Sequence, residues 1–255
     1  MADGLQWLVG LDEKGWTSSV VFARGISAAE LAVRMGGDPD GATEPITDAQ
    51  VWNLRMEVYR PGASGDGVVR VGESAGWAYA VEYGDSTGSD LLTEISRSGV
   101  EVMRYYPIAD HPPATVDYAR DGEYICGFGL AEEEHRWGQQ PDLLLPELVA
   151  ARVLQPDGSS RVDGSCVPYE VAYKRTLSVF ETRFGLSLPR ACLGEGLLPA
   201  YAVRGTPDMR TGREPDYHMI MTWADANGLA CTDNGTSVPA EIREAFRQAS
   251  GSRDS

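Results

Sequence analysis

Apolar positions change their spacing along this chain, and each spacing predicts an element. Thr17 to Arg24 is dense in β-branched residues and predicts a strand. Ser27-Ala28-Ala29-Glu30 then has the form of a capping box, opening a helix that stops at Gly36-Gly37. Asp48 to Arg60 fits a helix and a strand equally. Val68–Val71 and Trp77–Tyr83 read as two strands of an antiparallel hairpin, and Ser89–Ser96 as a short helix. Val100–Tyr106 is a further strand. Thr115–Arg120 and Glu123–Phe128 flank Asp121-Gly122, a dipeptide that favours a tight hairpin turn. Strands joined by such short turns predict a largely antiparallel sheet with helices packed on one face, an α+β fold.

After Pro141 the pattern becomes helical, with Pro146 limiting the first helix. Tyr169, Ala172, Tyr173, Thr176, Phe180 and Phe184 then line one helix face, which Gly185 stops. Leu197–Val203 reads as a closing strand. Arg204 to Pro215 is polar and carries two Pro and two Gly, the composition of a linker. Beyond it, Tyr217, Ile220, Met221 and Ala224 form one helical stripe, ending at Asn227-Gly228. Ile242, Ala245, Phe246 and Ala249 form another, opened by Pro239. The expected division is an α+β domain over 1–203, a linker over 204–215 and a helix–loop–helix over 216–250.

Charge changes the picture of what such a chain would meet. The 255 residues carry a net charge of −16; residues 1–203 hold 16 basic and 30 acidic side chains, and residues 213–255 hold 4 and 7. Neither part has the basic footprint of a strong nucleic-acid binder. There is no run of 18 apolar residues and no charged-then-apolar leader at the start, so no membrane span or secretion is expected. Cys126, Cys166, Cys192 and Cys231 are widely spaced, and reduced thiols in the cytoplasm are the matching expectation.

Candidate chemistry is sparse. Gly72-Glu73-Ser74-Ala75-Gly76 has the spacing of a nucleophile elbow, but that device needs a helix after the serine, and Trp77–Tyr83 alternates like a strand. Ser74 therefore belongs to a hairpin turn. His111, His135 and His218 lack metal-ligand spacing. Glu132-Glu133-Glu134-His135 reads as a solvated acidic face, and Asp38-Pro39-Asp40-Gly41 as a turn. Trp77, Tyr79 and Tyr83 share a strand face and are expected in the core. Neither a metal nor a cofactor is expected.

Two resemblances add to this reading. Trp223-Ala224-Asp225-Ala226-Asn227-Gly228 and Val238-Pro239-Ala240-Glu241-Ile242-Arg243-Glu244-Ala245-Phe246 resemble the C-terminal DNA-binding domain of actinobacterial nucleoid-associated xenogeneic silencers. That family places Arg-Gly-Arg between the two helices, in the minor groove of AT-rich DNA. Here the loop reads Asp233-Asn234-Gly235-Thr236-Ser237: the glycine is kept, both arginines are replaced, and Ser237 is one residue more. The resemblance implies contacts from Asn234, Gly235, Thr236 and Ser237 to bases and backbone, with Arg243 and Arg247 at phosphates. The N-terminal region, from about Trp7 to Val203, resembles an uncharacterised actinobacterial family through Val20–Gly36, the Gly76–Glu82 strand and the Asp121-Gly122 turn. It implies architecture only. The sequence thus predicts a non-enzymatic DNA-associated regulatory or accessory protein that binds AT-rich duplex weakly. The alternative is an acidic interaction or antagonist protein in which the C-terminal module binds protein rather than DNA, with a basic protein as partner. A hydrolase built on Ser74 is the third reading.

Overall fold

In the computed structural model seven strands form one sheet, in the order β6-β5-β4-β1-β3-β2-β7, with every neighbouring pair antiparallel. The structure describes residues 3–11, 18–58, 67–84, 87–107, 113–160 and 168–203, with Ala224, Asn227–Leu229, Ile242 and Ala245 beyond them. The strands are β1 (Val20–Arg24), β2 (Gly67–Ser74), β3 (Trp77–Gly84), β4 (Glu101–Tyr106), β5 (Thr115–Arg120), β6 (Glu123–Gly129) and β7 (Ala200–Val203). The helices are α1 (Ala28–Arg34), α2 (Asp48–Val58), single turns α3 (Thr87–Asp90) and α4 (Leu92–Ile95), α5 (Leu145–Ala150) and α6 (Tyr169–Phe184).

Local chemistry accounts for most of these boundaries. Ser27 caps α1 by accepting from the Glu30 amide, as the capping box predicts. Gly185 ends α6 in the left-handed conformation (φ +70°), its amide donating to Glu181 O. Asp121 and Gly122 both take positive φ (+52° and +83°), the geometry that lets β5 turn directly into β6. The ambiguous Asp48–Arg60 stretch is helical from Asp48 to Val58, burying Val51 against the sheet.

One expectation is corrected. Helices pack on both sheet faces rather than one, because the central strands are apolar on both sides: β3 is buried from Trp77 to Tyr83. The first face carries the larger side chains, Phe22, Trp77, Tyr79, Tyr83, Tyr105, Tyr118 and Phe128. It is covered by a 3-10 turn at Gln6–Leu8 and by α2, α5 and α6. The second carries smaller ones, Val21, Ala23, Val69, Val71, Ala78, Ala80 and Val102, under α1 and α4. The expected aromatic core of Trp77, Tyr79 and Tyr83 is on the first face.

Both sheet edges are occupied by coil. On β6, Gly127 and Trp137 exchange amide hydrogen bonds of 3.0 Å, and Gln140 N donates to Ile125 O. On β7, Thr43 N donates to Ala200 O, and Gly37 bridges Val203. Such cover removes the unpaired amides on which a further strand would grow.

Candidate functional site

The second face changes character beyond α4. Alternation along β1, β3, β4 and β5 there brings Ser19, Glu82, Arg104, Tyr106 and Asp117 to one side, where Val21 and Ala80 begin the apolar part. Register sets Arg104 opposite Val21 on one side and Asp117 on the other, and Asp117 opposite Gly127. A polar strip therefore crosses the sheet. Its residues are mostly buried.

Each carboxylate in the strip is loaded with donors. Glu82 Oε2 accepts from Ser19 Oγ at 2.5 Å, while Oε1 accepts from Thr87 Oγ1 at 3.1 Å and Gly88 N at 2.8 Å. Arg104 Nη1 donates to Asp117 Oδ2 at 2.9 Å, and its guanidinium stacks 4.7 Å from the Tyr106 ring centre. Tyr124 donates to Asp117 Oδ1 at 2.5 Å and accepts from Trp137 Nε1 at 2.6 Å. Burial, and then the Asp117 charge, push the Tyr124 phenol far above its ordinary value, so it stays a donor. A Cβ on Gly127 would lie 2.8 Å from both Asp117 Oδ1 and Trp137 Nε1, so only glycine leaves room for this chain of bonds. The strip ends at the Trp137 indole, 44% exposed. Chemically it is a fixed surface with an aromatic terminus. Its phenol cannot serve as a base at neutral pH, and its carboxylates are already engaged.

A second polar node lies on the first face. Arg70 is fully buried; Nη1 donates to Cys192 O at 2.8 Å and to Tyr83 Oη at 3.1 Å, and Nη2 to Gly196 O at 2.6 Å and Ile46 O at 3.1 Å. Tyr83 in turn donates to Asp48 Oδ1, which lies 3.3 Å from the guanidinium. This node ties β2, the start of α2 and the 190–196 turn together. The nearby Cys192 thiol is pushed up to about 12 by burial, and Cys126 by burial and then by Asp117 to about 11, so neither is a reactive thiolate.

Ser74 is the last residue of β2, opposite Trp77, in a hairpin turn as the sequence implies. Asp38–Gly41 is a turn, closed by Gly41 N to Asp38 O. The acidic run is not uniformly solvated: Glu133 is buried, its carboxylate accepting from Thr176 of α6 and from Ala131 N, and burial raises it above the usual carboxylate range. A surface reading failed there because the partner lies 43 residues away on α6. The strip was also not visible in advance. Arg104, Asp117 and Tyr124 are ordinary strand residues until register aligns them, the one hint being charged residues at inward positions of apolar strands.

In the C-terminal segment, Gly228 has φ +68° and Leu229 N donates to Ala224 O at 2.9 Å. That bond spans the helix end expected at Asn227-Gly228. Ala224 and Ile242, one from each expected stripe, are both buried. The candidate contacts Asn234, Gly235, Thr236, Ser237, Arg243 and Arg247 lie outside the described residues, as do His111, His218, Cys166, Cys231 and the 204–215 linker. Among the described residues no group of three or more His, Cys, Asp or Glu is placed to hold a metal. No helix among them is long and apolar enough to cross a membrane.

Fold and strip together define an α+β protein on a seven-stranded antiparallel sheet with both edges covered and a polar strip open at one end. A family of unknown function, DUF6461, matches residues 6–165, and the chain belongs to it. The match takes in β1 to β6 and the whole strip, and stops before α6 and β7. Comparison with curated proteins and with solved structures yields no match.

Proposed function

We propose that this chain is a non-enzymatic regulatory or accessory protein that associates with DNA through its C-terminal module, the α+β body acting as a binding platform. The observation that carries the reading is the helix end at Ala224–Leu229, with Gly228 left-handed where the silencer-like Trp-Ala-x-x-Asn-Gly pattern requires it. Support for a non-enzymatic body comes from the buried Glu82 and Glu133 and the partly buried Asp117, whose carboxylates bind structural donors. In this reading Asn234 and Thr236 flank Gly235 at the minor groove, and Arg243 and Arg247 sit one helical turn apart at phosphates. The acidic body, at −14 over residues 1–203, is turned away from the duplex. A second reading, an acidic protein-interaction module, is favoured by Trp52 and Met56, exposed one turn apart on α2.

The full-length chain titrated with AT-rich and GC-rich duplexes at two salt concentrations separates the two. Weak, nearly sequence-blind binding is expected. It should fall with Arg243→Ala/Arg247→Ala, which lowers the salt slope by up to about 2 units. Deleting Ser237 together with Asn234→Arg and Thr236→Arg should add AT preference. No binding by the native chain and none after this change, in a folded protein, would transfer the function to protein recognition.

A further inference from the structure

Helix α2 is apolar on two sides. Val51 and Leu54 pack inward on the sheet, yet Trp52 and Met56, one turn apart, stand 44% and 74% exposed on the outside. A helix apolar on opposite sides is ordinarily covered on both, so the outer stripe marks a surface that a partner closes. The other exposed residues from position 49 to 56 are Ala49, Gln50 and Asn53, so this face carries no charge. In a chain of net charge −16, such a stretch is where a second acidic surface can approach without strong repulsion. Charge returns at the flank beside Trp52, where Asp48 and Arg55, seven residues apart, lie in line along the helix. Asp48 Oδ1 accepts from Arg70 and Tyr83, and the side chain is still 26% exposed. The Arg55 guanidinium lies 5.2 Å from the centre of the Trp52 ring, and among the described residues no carboxylate pairs with it.

We propose that this face of α2 is a contact between two copies of the chain, packed as antiparallel helices about a twofold axis at Trp52. A twofold contact is self-complementary, so positions equally far before and after Trp52 face each other. In an antiparallel pair each flank also meets the same flank of the other copy. Arg55, three residues after Trp52, then lies beside the second copy's Asp48, four residues before it, and this ion pair forms twice. Ala49 stands opposite the second copy's Arg55, and its single methyl leaves room for the arginine stem. Trp52 stacks on its own counterpart with Met56 beside it; tryptophan, methionine and arginine are the side chains that interfaces favour. A strongly basic partner would be repelled by Arg55 and a strongly acidic one by Asp48, whereas a second copy matches both. With one helix of 11 residues from each copy, the contact belongs to the small, reversible class of interface. It concerns the α+β body alone and stands apart from how the C-terminal module is read.

Sedimentation equilibrium of the full-length chain, without DNA, over about 1–200 µM is the test. A monomer–dimer equilibrium with Kd of roughly 1–100 µM is expected. Met56→Glu sets a charge in the middle of the contact and should weaken it about a hundredfold or more. Arg55→Gln and Asp48→Asn should each weaken it about three- to tenfold, and the double variant little more than either alone, since both remove one pair. Asp48→Asn keeps the oxygen that Arg70 and Tyr83 use, and the urea midpoint of each variant checks that the fold is retained. Val171→Glu, at a 40% exposed apolar position on α6, should leave the equilibrium unchanged. A native chain that stays monomeric throughout would give the face to a different protein and overturn the proposal. So would a dimer that survives Met56→Glu, one lost equally in Val171→Glu, or fully additive losses at Asp48 and Arg55.

Discussion

Two buried arginines sit on opposite faces of this sheet, and they are held in different ways. Arg70, under α2, donates to three backbone carbonyls and a phenol, and at 3.3 Å to the Asp48 carboxylate. Arg104, on the far face, pairs with a carboxylate and stacks on an aromatic ring, in a strip that ends at a half-exposed tryptophan. Carbonyl dipoles of Ile46, Cys192 and Gly196 cannot move to water without unpicking the turns that carry them, so Arg70 holds backbone in place. Asp117 keeps Tyr124 as a second donor and lies next to solvent. A buried charge that gathers main chain holds turns in place, whereas one that gathers side chains toward an opening forms a polar strip that reaches the surface.

The largest expected effect tests that contrast directly. Arg70→Leu removes the side-chain donor from the Cys192 and Gly196 carbonyls and from Tyr83, leaves Ile46 O with Leu198 N alone, and should destabilise by about 3–5 kcal/mol. Arg104→Leu, which leaves Asp117 bonded to Tyr124 and able to rehydrate, should cost about 1–2 kcal/mol. Urea denaturation of both variants gives the order. Equal losses, or a larger one for Arg104, would remove the distinction between the two faces.

That distinction was only half legible in the sequence. Elements with local causes could be read: the Ser27 cap, the Asp121-Gly122 turn, the Gly185 stop, and the strands on either side of Ser74. An antiparallel sheet followed from the short turns, but the places of β1 between β3 and β4 and of β7 beside β2 did not. What could not be read depends on partners far along the chain. Glu133 looks like surface among its neighbours and is buried only because Thr176 meets it. Arg70 looks like an outward strand residue and is buried only because the 190–196 turn folds over it. Helices on both faces were missed because strands buried on both sides mix small and large residues, so that Ala78 and Ala80 blur the apolar count of β3.

Glu133 gives the next, smaller effect, and its sign is fixed by its shift. Burial raises its folded value above the ordinary one of about 4.3, against the opposing bonds from Thr176 and Ala131. The stability it contributes is present below that ordinary value and is lost as pH rises through the raised one. Glu133→Gln keeps an acceptor for Thr176 and removes the charge. Between pH 4 and 7 the native chain should lose stability relative to this variant, leaving Glu133→Gln as stable or more so at neutrality, by up to about 1 kcal/mol. The difference between their urea midpoints across that range is the measurement. A native chain that gains on the variant as pH rises would mean the carboxylate is stabilised by its donors more than burial penalises it.

The smallest effect belongs to Ser74, and a null result there is informative. Ser74 closes β2 opposite Trp77, and Ala75 and Gly76 carry the turn with φ of +52° and +82°. Both central residues are left-handed, as a two-residue hairpin demands. The strand resumes at once, leaving no place for the helix whose amino end would help to stabilise an oxyanion beside a catalytic serine. Among the described residues no histidine is hydrogen-bonded to it, and a serine hydroxyl is a weak nucleophile without such a base. Ser74→Ala should therefore change stability by no more than about 0.5 kcal/mol. The native chain should leave Ser74 unmodified when treated with a serine-reactive phosphonate and mapped by mass spectrometry. Labelling at Ser74 that disappears on prior denaturation would return the hydrolase reading, and with it the question of which unplaced histidine supplies the base.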